Sequence, residues 1–397
     1  MDRRGPGGAA RHRRLPLLQG TPALARPPDA GLPAGGLLQF HRGRLADQGS
    51  GAVSVTVLVT GAGGFVGSAV VRALAAEPGV SARLLAHRRP VAADRPGDVV
   101  TADLADASSL RGRLDGVDVI IHAASEVGSD PARCERVNVL GTRNLVEEAE
   151  RAGLRHLVHV STAAVHGLGP HRGLPEGSPP APVSPASRSR REAERLTAAA
   201  GAVILRPFFV YGEGDRWYVP GLLRLLTTRP GTWFDGGRAQ HSVVAVDDLA
   251  AMAVAAAVRP VPFAGGVPFH VCEPQPVSVR AVAEVLAGMF GLTVPTLSVS
   301  WRLARPALRN GPDYRRAELL AEDHVYAAPR VWAAAGAAPG APFLDRLPDL
   351  APWYGRFLGE VGEVGEVGEA GKVGEVGKAR EVGEVSEVGE AGEGGRT

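Results

Sequence analysis

Between residues 53 and 355 the apolar positions switch repeatedly between two periods. Val53 to Thr60 is a near-continuous β-branched run, as expected of a strand buried on both faces. From Gly64 to Glu77 alanine, valine and leucine follow at helical spacing until Pro78-Gly79 stops them. The strand signal returns at Ala82 to His87, Val99 to Thr101, Val117 to Ile121, Leu157 to Ser161 and Val203 to Leu205, with helical stretches such as Pro131 to Ala152 between them. This alternation predicts an α/β fold on a doubly wound parallel sheet. After Tyr211 it loosens: Trp217 to Thr228 reads as an amphipathic helix, Phe269 to Cys272 as a strand, and a further helix starts at Ser278.

Both ends break the pattern. Residues 1–50 hold fifteen Gly and Pro residues and eight arginines against three aspartates, without helical or strand period. Segment 1–52 therefore reads as a disordered basic arm, or as a mis-called start with the true one near Val53 or Val55. Arg13-Arg14 before Leu15 to Leu18 is a poor export signal, because Pro16, Gln19, Gly20 and Pro22 interrupt its apolar stretch. From Gly359 the chain repeats Gly-Glu-Val with ten glutamates against four basic residues, so 356–397 reads as an acidic low-complexity tail.

Composition narrows the function classes. Forty-four Lys and Arg against 42 Asp and Glu leave a formal charge of +2, which argues against nucleic-acid binding by bulk charge. The longest apolar run, Leu249 to Val258, is far shorter than the ~18 residues of a membrane span, so no membrane partner is expected. Two cysteines, Cys134 and Cys272, cannot make a disulfide framework, and a reducing, cytoplasmic setting is the default. No Cys/His spacing points to a metal, and no Gly-x-Ser-x-Gly elbow to a hydrolase.

The first strand runs into Thr60-Gly61-Ala62-Gly63-Gly64-Phe65-Val66-Gly67. Gly61 allows a tight turn, Gly64 lets backbone N–H groups near a pyrophosphate, and Gly67 permits close helix packing, so Gly61, Gly64, Phe65, Val66 and Gly67 are candidate dinucleotide contacts.

The spacing Gly61-x-x-Gly64-x-x-Gly67 resembles the extended short-chain dehydrogenase/reductase superfamily, in particular its NAD(P)-dependent epimerase/dehydratase group. Later motifs keep that family's order: Asp103-Leu104, His122-Ala123-Ala124, Asn138-Val139-Leu140-Gly141-Thr142, Val160-Ser161-Thr162-Ala163-Ala164-Val165-His166-Gly167, Leu205-Arg206-Pro207-Phe208-Phe209-Val210-Tyr211-Gly212 and Val246-Asp247-Asp248-Leu249-Ala250. The resemblance implies a Rossmann-type domain over 53–355 with a small C-terminal substrate lobe, mainly 212–240 and 265–355. It adds Asp103, Leu104, Ala123, Ala124, Ser161, Pro207 and Val210 to the cofactor contacts and places Thr162 at the catalytic Ser/Thr position. At the end of the second strand an acidic residue would bind the ribose 2′-OH, whereas this chain has His87-Arg88-Arg89, which tilts the expectation to NADP, with NAD as the alternative.

One feature of the family is missing. Its Tyr-x-x-x-Lys pair, by alignment on Ser184-Pro185 and Glu192-Ala193-Glu194, falls on Ala186 and Arg190. No tyrosine precedes Tyr211, and the only lysines are Lys372 and Lys378 in the tail, so no shift of register restores the pair. Arg190 keeps donors for a ribose but does not relay protons as an ammonium does. His166 is the candidate substitute acid, because imidazole titrates near neutrality. His241 occupies a position where relatives often carry a phosphate-contacting arginine, which favours a small, less charged substrate over a nucleotide sugar. Glu213, Asp215 and Asp235 lie in the variable segment that should face that substrate, with a structural role the favoured reading for each alone, and Asp247-Asp248 reads as a helix N-cap and first-turn charge. Trp217, Tyr218, Trp233 and Phe234 are either pocket or lobe core.

The leading expectation is an NAD(P)-dependent oxidoreductase of a small carbonyl or hydroxyl compound with an atypical acid/base site. The alternatives are a non-redox dehydratase or cyclase, and a non-catalytic NAD(P) sensor. Dimerisation through Pro131 to Ala152 and Ser184 to Ala200 is the family habit and is expected here.

Overall fold

The first apolar run becomes strand β1 (Val55–Thr60), whose last four residues are buried. The computed structural model describes residues 55–364 apart from 88–90, 92–95, 155, 229–230 and 312–313. β1 pairs in parallel with β2 (Val80–Ala86), and β3 (Asp98–Thr101) lies outside β2. On its other side stand β4 (Val119–His122), β5 (Leu157–Val160), β6 (Val203–Pro207) and β7 (Phe269–Val271), all parallel. The order β7-β6-β5-β4-β1-β2-β3 means that the chain winds outward from β1 both ways and reverses between β1 and β4. Open α/β sheets bind ligands outside the carboxyl ends of the strands at such a reversal.

Because side chains alternate along a strand, each central strand feeds two cores. Val57, Val59, Val119 and Ile121 face one side, packed under helix α1 (Phe65–Ala75), while Leu58, Ile120 and Leu157 face the other, packed against Leu145 of α2 (Gly141–Arg151). Helix α3 (Pro185–Ala199) packs beside α2; Ser184 starts it with a capping box closed by Ser187, and Pro185 sits at a first-turn position that needs no N–H. The apolar run Leu249 to Val258 lies in α4 (Val246–Val258), buried against α1, where its alanines permit close approach. Asp247 and Asp248 occupy its first turn and pair with Arg72 and Arg346, as expected of first-turn charge, but the N-cap is Ala245 and not an aspartate.

A second core of Tyr211, Tyr218, Leu222, Trp233, Phe343 and Tyr354 forms the lobe. The sequence placed Phe269 to Cys272 in that lobe, but Phe269–Val271 is the edge strand of the main sheet, registered on Leu205–Pro207. A three-residue apolar strand looks alike in either setting, and pairing with β6 across a long excursion leaves no local mark. The expected tail boundary at 356 also moves, since helix Ala351–Val364 continues past it. The basic arm and the tail beyond Val364 lie outside the described residues. All the described residues fall in one compact unit that begins at Ser54, and none of their helices is long and apolar enough to cross a membrane.

Candidate active site

The parallel sheet gathers the candidate residues at one edge, because each follows the carboxyl end of a strand. After β1, Gly61 turns with φ +69°, and a β-carbon there would lie 2.8 Å from Ala124 Cα and 3.0 Å from the Ala123 carbonyl carbon. Gly61 and Ala123-Ala124 thus meet at the reversal between β1 and β4. Gly64 donates its N–H to the Gly61 carbonyl (2.8 Å), and a β-carbon on Gly67 would stand 2.0 Å from that same oxygen. Gly64 is the N-cap of α1 and offers no side-chain cap, so first-turn N–H groups, including those of Phe65 and Val66, are left for an external anion. The Phe65 ring lies under Gly214, whose own β-carbon would sit 2.7 Å from it, so the glycine turn abuts the loop entering the lobe.

Further along the edge, His87 follows β2 and Asp103 follows β3. Their side chains lie 3.6 Å apart, and Asp103 also accepts from Arg136 Nη2 at 3.1 Å. Leu104 is buried, with its carbonyl held by Asn144 Nδ2 (2.8 Å). Arg88 falls outside the described residues.

A buried polar chain that sequence reasoning missed braces the reversal. Ala124 N–H donates to Thr60 Oγ1 (3.2 Å), which lies 2.7 Å from His122 Nδ1, and His122 Nε2 lies 3.0 Å from Thr142 Oγ1. Burial, aided by the charge of Arg190, pushes the His122 imidazole down to about 4, so it is neutral at pH 7. The only sequence signal was a His and two Thr in positions otherwise reading as core.

After β5 come Ser161 and Thr162. Thr162 Oγ1 accepts the Ala164 N–H (3.1 Å) and starts a short turn over Ala163–His166, which leaves its own proton to donate elsewhere. Arg190 reaches the same place from α3, with Nη2 donating to the carbonyls of Ser161 (2.6 Å) and Val160 (3.3 Å). Desolvation lowers its guanidinium to about 10, which still leaves it charged at neutral pH. Pro207, buried at the end of β6, and half-buried Val210 complete the row. Beside them Asn138 sits in a π-helical turn, Glu135–Leu140, a form that often marks functional sites. Asn138 Nδ2 donates to the Glu126 carbonyl (2.8 Å) and to Ser189 Oγ (2.9 Å), and its Oδ1 accepts from Glu126 N–H (2.7 Å).

A family model described as the NAD dependent epimerase/dehydratase family matches residues 57–271, more than half of the chain. The chain belongs to the NAD dependent epimerase/dehydratase family. It is 29% identical over 272 residues, 65% of this chain and 80% of the relative, to a 4-hydroxy-2-methyl-3-oxo-4-farnesyl-3,4-dihydroquinoline-1-oxide ketoreductase of Stigmatella aurantiaca. It is 34% identical over 211 residues, 52% of this chain and 62% of the relative, to a ceramide reductase of Caulobacter vibrioides. Among solved structures, a double mutant of a dTDP-glucose 4,6-dehydratase from Streptomyces venezuelae, with NAD bound, superposes with TM-score 0.62 at 25% identity, covering 77% of this chain and 98% of that one.

Several residues of this epimerase/dehydratase chain lie elsewhere than the sequence implied. His166 is 4% exposed, with Nε2 3.0 Å from His270 Nε2 and 3.4 Å from Arg206 Nη1. Burial, then the charge of Arg206, lowers it to about 4. The imidazole is thus shut in, neutral at pH 7 and packed on β7, which does not support its expectation as the substitute acid. Arg206 itself forms a buried two-armed ion pair with Glu194 of α3 (2.8 and 2.7 Å). His241 is buried against Leu319 O (2.7 Å) and Tyr218 OH (3.3 Å), and burial pushes it down to about 3. Asp215 caps the helix Tyr218–Thr228 by accepting from the N–H groups of Trp217, Tyr218 and Val219. Tyr218 and Trp233 pack in the lobe core and Phe234 against Trp301, whereas Trp217 stays 68% exposed.

Proposed function

We propose that this chain is an NADP-preferring reductase of a lipophilic, weakly charged carbonyl compound, with Thr162 donating to the substrate oxygen and Arg190 as a fixed positive charge behind it. The observation that carries the reading is the close set at the end of β5. The Ala164 N–H occupies one Thr162 lone pair and leaves its hydroxyl proton to donate elsewhere, while Arg190 is held on the adjacent Ser161 carbonyl at 2.6 Å.

The residues present fit a nicotinamide dinucleotide. A turn that only glycine fills at 61 and 67, followed by an uncapped helix start, suits a pyrophosphate. Gly61, Gly64, Phe65, Val66 and Gly67 would hold that group, Asp103 and Leu104 the adenine, and Ala123, Ala124, Ser161, Arg190, Pro207 and Val210 the nicotinamide end. His87 with Arg88, in place of a carboxylate, supports NADP over NAD. When bound, the cofactor supplies a hydride to the carbonyl carbon. Thr162 polarises the carbonyl, Arg190 stabilises negative charge developing on its oxygen, and the proton that completes the alcohol comes from water admitted where Ala186 replaces a bulky side chain. Buried His241, where a phosphate-binding arginine would favour a nucleotide sugar, supports a substrate without a diphosphate. The relatives named as a farnesyl-dihydroquinoline ketoreductase and a ceramide reductase point the same way.

Dimerisation through the helices around 131–152 and 184–200 belongs to this reading; light scattering at micromolar concentration should give twice the chain mass. The experiment for the function itself follows absorbance of the nicotinamide band while long-chain ketones are offered with NADPH or NADH. Oxidation of NADPH supports the reductase. Tight binding without oxidation points instead to a non-redox or sensor role, the reading that Ala186 favours.

A further inference from the structure

The strand Leu297–Val299 and the helix that follows it carry exposed apolar and basic side chains to which the reading above assigns no role. Leu297 is 69% exposed, Val299 44% and Leu303 79%, three large apolar side chains within seven residues. Isolated apolar residues on a surface are ordinary, but three large ones exposed on two consecutive elements are a candidate contact site. Leu297 and Val299 lie on a strand, Leu297–Val299, that is paired on one side only, with Thr232–Phe234. Leu303 follows on the helix Trp301–Leu308, anchored by buried Trp301, whose backbone N–H donates to Asp235 Oδ1 (3.2 Å) and whose indole donates to Glu322 Oε1 (2.7 Å). Asp235 and Glu322 are thus engaged at its anchor.

The charge on the exposed side is positive. Arg305 bonds the Tyr314 hydroxyl (3.1 Å) and lies 3.8 Å from Glu322. Arg302 and Arg309 are exposed and have neither hydrogen bond nor ion pair among the described residues. We propose that this face docks on an anionic lipid surface, with Leu297, Val299 and Leu303 entering the acyl boundary and Arg302 and Arg309 meeting headgroup phosphates. Apolar side chains flanked by free cations are the composition that interfacial helices use. A second copy of this chain on the same face would bring like charges together. The expectation of no membrane partner came from run length, which tests spanning and not surface docking.

Cys134 and Cys272 are both buried, so Leu303→Cys in the full chain offers one exposed thiol for a polarity-sensitive dye. On vesicles of phosphatidylcholine with phosphatidylserine, the dye emission should shift to the blue and the protein should sediment. On phosphatidylcholine alone both effects should fall by about tenfold. Leu297→Ser with Val299→Ser, which leaves the charge unchanged, should weaken sedimentation of the unlabelled chain by about tenfold while melting at the wild-type temperature. Sedimentation with the dye still in water would place binding on the basic N-terminal arm and overturn the proposal. So would absence of sedimentation, or a blue shift that needs only higher protein concentration and no vesicles. Vesicle binding and turnover are read separately, so failure here leaves the reductase reading untouched.

Discussion

Gly67 approaches Gly61 so closely that a β-carbon at residue 67 would stand 2.0 Å from the Gly61 carbonyl oxygen. Neither partner can yield cheaply, because both are backbone at the turn proposed to hold the cofactor. Gly67→Ala should therefore cost about 1–3 kcal/mol in stability and weaken dinucleotide binding more than tenfold. Thermal melting and titration with NADPH check both; wild-type affinity in this variant would remove the turn from the binding site.

Thr162 and His166 separate chemistry from packing. Thr162→Val should lower kcat by about a hundredfold, as loss of a donor to a developing oxyanion does, and Thr162→Ser should restore most of it. His166→Asn should lower the melting temperature through the lost contacts with His270 and Arg206 while leaving kcat within a few-fold. Reversed results would return the acid role to His166.

The Glu194–Arg206 pair ties α3 to β6 with both side chains buried. Desolvation raises the Glu194 carboxyl, but the hydrogen bonds and charge of Arg206 outweigh it and hold the net value below the usual carboxylate range. Glu194→Gln leaves a buried guanidinium without its charge partner and should cost about 3–5 kcal/mol by urea denaturation. The double variant Glu194→Leu with Arg206→Met should cost clearly less than the single one.

Acid should unfold this protein through its histidines. Burial lowers His122, His166 and His270 to about 4 and His241 to about 3, from an ordinary value near 6.5. Between those limits the unfolded chain binds protons that the folded chain refuses, so stability falls as pH drops from 6.5 towards 4. Each such histidine contributes up to about 1.4 kcal/mol per pH unit in that window, enough together for an unfolding midpoint near about pH 5. Circular dichroism across an acid titration reads it; native signal at pH 4 would contradict the burial of this group.

What the sequence made legible was whatever a single position demands by itself. Gly61, Gly64 and Gly67 are readable because no other residue fits that turn, and β1 and α4 because their apolar runs allow one environment. The histidines were not readable, because His166 meets His270 across a sequence separation of 104 and only the sheet order brings them together. Asp215 stayed open between substrate contact and structural role because an acidic loop residue and a helix cap have the same sequence appearance. The π-turn at Asn138 is invisible for a similar reason: one widened turn does not disturb the apolar period on either side.

The central claim is that Thr162, without the family's tyrosine, still serves carbonyl reduction by a bound nicotinamide dinucleotide. Its most direct test is single-turnover absorbance of the nicotinamide band with NADPH-loaded protein and a long-chain ketone, wild type beside Thr162→Val. Oxidation is expected in the wild type, slowed about a hundredfold in the variant at equal NADPH affinity. Cofactor bound equally by both proteins and oxidised by neither would contradict it.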